Sequence, residues 1–317
     1  MRIARTAACL VFVSCVLFIV AKSHSADRHG SPRSGSWAIR KSDETGKIDF
    51  ALMEHRRDGM SNYQSEWPMS TFSGVDFSKP GKQNVHFTIS RDDGTIDCEG
   101  YLQDGEGAGV FYFQPDPNFP RQMHAIGFDV DEEKQYAMTV HDVSLGFARE
   151  MKAENIEGLD AGKLIAFRIF GVDKAFIEGL RAEGLKISEA DKLVAFRIHG
   201  VSAQMVHSLH QAGYNPDEDT LIAMRIHGAT PEWMEQLKKC GYYHVDLQKL
   251  IAFRIHDVSP EFIQQLQAVG YSHPDPDELI AMRIHNVTPE YIADMRARGI
   301  KDLSVEKLVS MRIHGID

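Results

Sequence analysis

Leu250-Ile251-Ala252-Phe253-Arg254-Ile255-His256 is written six times, with small changes, in the second half of a 317-residue chain. Its closing triplet appears as Arg168-Ile169-Phe170, Arg197-Ile198-His199, Arg225-Ile226-His227, Arg254-Ile255-His256, Arg283-Ile284-His285 and Arg312-Ile313-His314, at spacings of 29, 28, 29, 29 and 29 residues. A fixed period of about 20 to 50 residues marks a stacked repeat array, because each unit has an apolar face that only its neighbours can cover.

The unit from His256 to Ile284 shows how one repeat builds two helices. Ser259 is an N-cap, Pro260 takes the first helical position, and Glu261 sets a carboxylate where the helix dipole favours it. Val258 can meet Ile263 as a hydrophobic staple, and Phe262, Ile263 and Leu266 form the apolar face. Gly270 ends the helix at a left-handed position, with Tyr271 as the apolar residue of a Schellman turn. A second helix starts at Asp275 and is expected to bury Leu279, Ile280, Met282 and Ile284, with Asn286 left-handed after it. Helices of about 10 residues are marginal alone in water, so they must be held by packing.

The remaining units obey the same slots. The first cap slot holds Ser144, Asp173, Ser202, Thr230, Ser259 and Thr288, all able to accept from helix N–H groups. The helix-ending slot holds Asn155, Gly184, Gly213, Gly241, Gly270 and Gly299, residues that tolerate positive φ. The second cap slot holds Asp160, Glu189, Asp217, Asp246, Asp275 and Ser304, glutamate being the weakest fit. Residues 141–317 are therefore predicted to form an all-α solenoid of about six two-helix repeats.

Upstream the period changes to two. Ile48, Phe50 and Leu52, and again Val85, Phe87 and Ile89, alternate with other residues as in strands with one buried face. Asp92-Asp93-Gly94-Thr95 and Asp104-Gly105-Glu106-Gly107 are hairpin signals, the second leading into Val110-Phe111-Tyr112-Phe113. Residues 37–128 are predicted to be a small antiparallel sheet or partial barrel, with 56–82 as a loop insertion; Pro115 to Gln135 is Pro-rich and then acidic, which suits a connection between domains, and 129–140 is predicted to be the linker. The fold class is α+β.

Arg2 and Arg5 precede an apolar run from Ala7 to Ala21, followed by Ser23, Ser25 and Ala26. That order predicts a signal peptide over residues 1–26, an extracytoplasmic (periplasmic or secreted) protein, and a polar, disordered leader over 27–36. An uncleaved anchor is the alternative, although the run is short of the roughly 20 residues a membrane helix needs; once the signal is removed, no stable membrane insertion is expected. Cys98 and Cys240 remain beyond the signal, one in each predicted domain, and are expected to be separate packed thiols. A net charge of -10 argues against a nucleic-acid backbone as the main partner.

The row His199, His227, His256, His285 and His314 raises metal binding. Phe170 occupies the slot in an early unit, and stacked helices lie about 10 Å apart, against a metal–nitrogen bond of about 2 Å. The histidines are therefore read as helix-end residues, with the arginines pairing to carboxylates of neighbouring turns. His207 and His210, three apart, are read as a solvated face. Glu54-His55 lacks a partner histidine and Gly105-Glu106-Gly107 opens no helix, so no catalytic residue, cofactor or metal is assigned. Trp67, Phe111 and Phe113 are candidates to line a ligand cup in the β domain, with ordinary core as the competing account.

The segment from Gly35-Ser36-Trp37 to Met123-His124-Ala125-Ile126-Gly127-Phe128, with units such as Leu279–His285 and Val287-Thr288-Pro289-Glu290-Tyr291, resembles uncharacterised bacterial extracytoplasmic proteins. It is also similar to segments appended to membrane metallopeptidases of the beta-lactam-sensor type. The resemblance implies a sensory or interaction module outside the cytoplasm; the peptidase's paired-histidine helix is absent, so no catalytic residue carries over. The expectation is a non-catalytic exported protein whose solenoid binds a protein or peptide. The alternative is a small-ligand sensor using the cup, and a third is an enzyme at the domain junction. Leu308, Val309, Met311 and Ile313 in the final unit also raise end-to-end self-association or fraying of the last helix.

Overall fold

Alternation in the first half resolves into six strands in a computed structural model that describes residues 33–56, 59–301 and 303–316. The predicted signal and residues 27–32 of the leader lie outside them. The strands are β1 (Ser34–Lys41), β2 (Lys47–Arg56), β3 (Gly59–Pro68), β4 (Lys82–Arg91), β5 (Gly94–Gln103) and β6 (Glu106–Pro115). Their order is β3-β2-β1-β6-β5-β4 and every pairing is antiparallel. Two three-stranded meanders thus meet where β1 pairs with β6. Trp37, Phe50, Phe87, Phe111 and Phe113 point to one buried face. Phe72, just after β3, sits edge-on to Phe50 at 5.1 Å and to Phe87 at 5.5 Å, joining the two halves of the sheet. With the Ser73–Thr88 bridge, this curls the open sheet toward a partial barrel.

Three expectations need correction here. Ser34–Ser36, placed in the leader, begin β1 and pair with β6 and β2. Residues 59–68, placed in a loop, form β3; the strand is polar because it lies at an edge, where one side stays wet. In the first hairpin neither Asp92 nor Asp93 takes positive φ. Gly94 is needed for space instead, since a Cβ there would come within 2.6 Å of Gln114 O and the Phe113 ring. The second hairpin matches expectation, Asp104 (φ 53°) and Gly105 (φ 87°) forming a two-residue left-handed turn.

The second half is a stack of helix pairs. First helices are α1 (Phe119–Ala125), α3 (Leu145–Ala153), α5 (Lys174–Ala182), α7 (Ala203–Gln211), α9 (Pro231–Lys239), α11 (Pro260–Ala268) and α13 (Pro289–Ala297). Second helices are α2 (Glu132–His141), α4 (Ala161–Phe170), α6 (Ala190–His199), α8 (Glu218–His227), α10 (Leu247–Ile255), α12 (Pro276–Ile284) and α14 (Val305–Ile313). All six residues of the first cap slot accept from the backbone N–H of the third helical residue. In the second slot Glu189 alone makes no side-chain cap bond, its longer side chain overreaching the N–H groups. The Schellman turn forms as expected, with Tyr271 N–H donating to Leu266 O and Gly270 N–H to Gln267 O, both at 3.0 Å.

The predicted linker 129–140 is mostly helix α2, capped by Asp131. Its end, Thr139-Val140-His141, stands 29 residues before Arg168-Ile169-Phe170, so α2 is one more second helix and α1 its partner. Threonine replaces arginine because this helix lies beneath the sheet: Tyr136 and Val140 belong to the sheet core and Met138 to the solenoid core. The β4–β5 hairpin closes the seam. Asp92 Oδ2 accepts from Leu145 N–H at 3.0 Å, while Gln135 Nε2 donates to the backbone oxygens of Asp93 (2.6 Å) and Asp116 (2.8 Å). Cys98 and Cys240 are both buried free thiols.

Candidate functional site

Each second helix from α4 onward buries a leucine and, three residues on, a larger apolar side chain: Leu250 and Phe253 in α10, Leu279 and Met282 in α12. Two residues beyond that comes the repeated isoleucine, which points the other way. Ile169, Ile198, Ile226, Ile255, Ile284 and Ile313 are 50–59% exposed, six of the most exposed large apolar side chains described. The expectation that Ile284 is buried is therefore wrong, and the reason is helical phase. Two residues on from Met282 is a turn of about 200°, which carries the side chain out of the core. One turn earlier on each second helix, Ile165, Val194, Ile222, Ile280 and Val309 are half-buried, while Ile251 is 6% exposed. Adjacent second helices lie against one another along the whole row, so these side chains recur side by side as an apolar strip across the helices.

Two polar rows border the strip. On one side lysines at helix N-termini reach the next unit, Lys163 to Asp191, Lys192 to Asp219 and Lys249 to Asp277. On the other stand the arginines, whose role the geometry explains. Arg225 Nε donates to His199 O at 2.9 Å, Arg254 Nε to His227 O at 3.1 Å and Arg283 Nε to His256 O at 3.3 Å. Each guanidinium thus satisfies a carbonyl at the end of the preceding second helix, where the dipole favours a cation. Five of the six repeat arginines, all but Arg225, also cover an aromatic ring of their own unit, as Arg197 does Phe176 at 3.9 Å and Arg312 does Tyr291 at 4.2 Å. Gly200 leaves room for this contact, because a Cβ there would lie 2.6 Å from Arg225 Nη2.

The carbonyls expected to meet the repeated histidines are therefore taken by arginines of the next unit. At the end of the array His314 Nδ1 bonds Ser310 O of its own helix at 2.7 Å. Carboxylate pairing holds for Arg168 with Asp142 and Arg283 with Asp257. Arg225 and Arg254 have no carboxylate at ion-pair distance among the described residues; Gly200 and Gly228 stand in the slot that Asp142 fills for Arg168 and Asp257 for Arg283. His207 is exposed and meets Glu183 at 3.2 Å; His210, expected on the same wet face, is half-buried with Nε2 unbonded.

The strip begins at the seam between sheet and solenoid, where Ile169 borders a cleft of about 580 Å³. Tyr63, Trp67, Arg91, His141, Asp142 and Arg168 also line it. Arg91 lies over the Trp67 ring at 4.6 Å, and Trp67 Nε1 donates to Tyr63 OH at 3.1 Å. Asp142 is shared by the two arginines, at 3.1 Å from Arg91 Nη1, so one carboxylate faces two guanidiniums here. Burial, and then the Arg91 cation, hold the His141 imidazole below its usual pKa.

The proposed cup does not form as expected. Phe111 and Phe113 are 0% and 1% exposed, because Tyr136 of α2 stacks on the first at 6.2 Å and meets the second edge-on at 5.1 Å. Trp67, 4% exposed, reaches the cleft only with its rim. Sequence reasoning missed Tyr63, Arg91 and His141, which are brought together from β3, β4 and α2; it also read the isoleucine row as core. The signal for that row was present, since the same helical phase that buries Met282 exposes Ile284. Compared with models of known families, with curated proteins and with solved structures, the chain finds no match in any of the three.

Proposed function

We propose that this is an exported, non-catalytic protein whose row of second helices binds a protein or peptide partner. One observation carries the reading: an apolar side chain is kept at the same exposed position in six consecutive units, where packing does not require it. A solenoid presents such positions at regular intervals along an extended face. Export rests on the basic, apolar and small-residue order of residues 1–26; among the described residues no helix is long and apolar enough to cross a membrane. To test the reading, peptides are selected from a random display library on the chain lacking residues 1–26. Binding is then measured to the wild type and to the Ile226→Gln/Ile255→Gln variant. Affinity should fall at least tenfold in the variant; unchanged affinity for every selected peptide overturns the proposal.

The ligand-sensor alternative keeps only Trp67 of its three residues and moves to the seam cleft, whose two arginines and aromatic wall favour it. A ligand there should raise the melting temperature of the wild type and not of Arg91→Gln. End-to-end association is proposed through α14, where Val309 is half-buried and Ile313 and Ile316 are exposed. Light scattering over a concentration series, with Val309→Glu alongside, should show wild-type dimers and a monomeric variant.

A further inference from the structure

The strip has dimensions and charge that select among partners. It is one isoleucine wide on each helix, with an Ile or Val one turn before that is half-buried except for the buried Ile251, so its apolar width is about one helical pitch, roughly 5.4 Å. A helical ligand is about 10–12 Å across and would overhang onto the Lys–Asp pairs on one side and the arginines on the other. Along the array the isoleucines repeat once per packed helix, about 8–10 Å. An extended chain rises about 3.3 Å per residue and a polyproline II chain about 3.1 Å, so three residues cover one unit in either form. Polyproline II also completes a turn in three residues and returns every third side chain to the same side.

Charge narrows the choice further. The chain carries -10 overall, yet the border of the strip holds an arginine in every unit. At its centre Arg225 and Arg254 spend Nε on carbonyls and have no carboxylate at ion-pair distance among the described residues, Glu232 acting on Arg225 only from beyond that distance. These two cations flank Ile226, and the second also adjoins Ile255.

We infer that the partner is an acidic peptide segment in the polyproline II form, with an apolar residue at every third position, lying along the isoleucine row with carboxylates against Arg225 and Arg254. This rests on the proposed partner-binding role of the row and specifies its ligand. One apolar side chain seats beside each isoleucine, and the register is set by unit spacing rather than by a deep pocket. Binding is salt-sensitive because the arginines remain partly wet.

The test uses the chain lacking residues 1–26 and four synthetic peptides, read by fluorescence anisotropy. One has an apolar residue every third position with glutamates between. The second has the same composition scrambled, the third is helix-forming with apolar residues every seventh position, and the fourth replaces the first peptide's glutamates with glutamines. The first should bind at least tenfold more tightly than the others. It should lose at least tenfold on Ile226→Gln/Ile255→Gln, and should lose most of its salt dependence on Arg225→Gln/Arg254→Gln. The altered side chains are exposed or half-exposed, and unchanged urea midpoints establish that the variants fold. Equal binding of the scrambled peptide, or of the glutamine peptide, overturns the inference. Tighter binding of the helical peptide, lost on the isoleucine variant, overturns the extended register and leaves the role of the row standing. If no peptide's binding changes on the isoleucine variant, the role of the row falls, and the inference with it.

Discussion

The sheet and the solenoid treat their apolar side chains differently. In the sheet, period two sends alternate residues to one face, and α2 then seals that face with Tyr136 and Val140. In the solenoid, each second helix from α4 to α14 buries its leucine and Phe or Met against neighbouring helices and leaves an isoleucine outside. Among the described residues, large apolar exposure on the sheet is limited to Tyr101, Val110 and Tyr112 of β5 and β6, whereas on the solenoid it recurs at a fixed position. A face sealed within its own domain is accounted for by folding. A repeated apolar row left in water is not, and that difference directs the functional proposal to the solenoid.

The comparison is broken most severely by removing a core ring from each region. Phe87→Ala in the sheet and Phe253→Ala in the solenoid should each cost about 3–5 kcal/mol. Hydrogen exchange should show loss across all six strands for the first, and mainly in α8, α10, α12 and the first helices beside them for the second. Equal loss along the whole array would show that the solenoid does not behave as nearest-neighbour units.

The seam between the regions is tested by pH. Asp93 lies 1% exposed at the tip of the β4–β5 hairpin, with Oδ1 unbonded, and burial raises its pKa from 3.8 to about 7 against a smaller opposing effect of the Thr139 hydroxyl. The folded state therefore holds this proton more tightly than the unfolded chain. The resulting stability is complete below about pH 4 and is lost as pH rises through about 7, a difference on the order of 4 kcal/mol. Asp93→Asn should flatten this part of the urea-midpoint profile between pH 4 and 8 and be the more stable protein at pH 8. Parallel profiles for the two proteins would show that the carboxyl is hydrated.

Backbone and cap positions give smaller effects. Gly270, at φ 97°, closes α11; Gly270→Val should cost about 3 kcal/mol, since a β-branched residue is disfavoured there. Ser259→Ala, which removes the acceptor for Phe262 N–H, should cost about 1 kcal/mol. Equal urea midpoints would overturn the cap assignments. The smallest effect is expected on the strip itself. Ile255→Gln should change stability by no more than about 0.5 kcal/mol, whereas Ile251→Gln, one turn earlier and buried, should cost about 2 kcal/mol or more. A large cost for Ile255→Gln would mean that the row is structural after all.

Local chemistry alone determined most of the solenoid. Caps such as Ser259, left-handed sites such as Gly270 and the 29-residue period are properties of one unit, set by which side chains can accept from a helix N–H or tolerate positive φ. The strands around Phe50 and Phe87 were legible for the same reason, since alternation is a local signal. Tertiary structure decided the rest. The polar strand β3 exists because β2 pairs with it, and Gly94 is fixed by the Phe113 ring of the neighbouring strand. The helix α2 hid as a linker because its Thr139 replaces the arginine of the repeat, a change that follows from the sheet lying over it. Whether Phe111 lined a cup or a core depended on that same helix, and the cleft beside Trp67 on β3, β4, α2 and α4 coming together. Contacts between residues far apart in sequence leave no periodic trace in it, so these features appear only when the chain is folded.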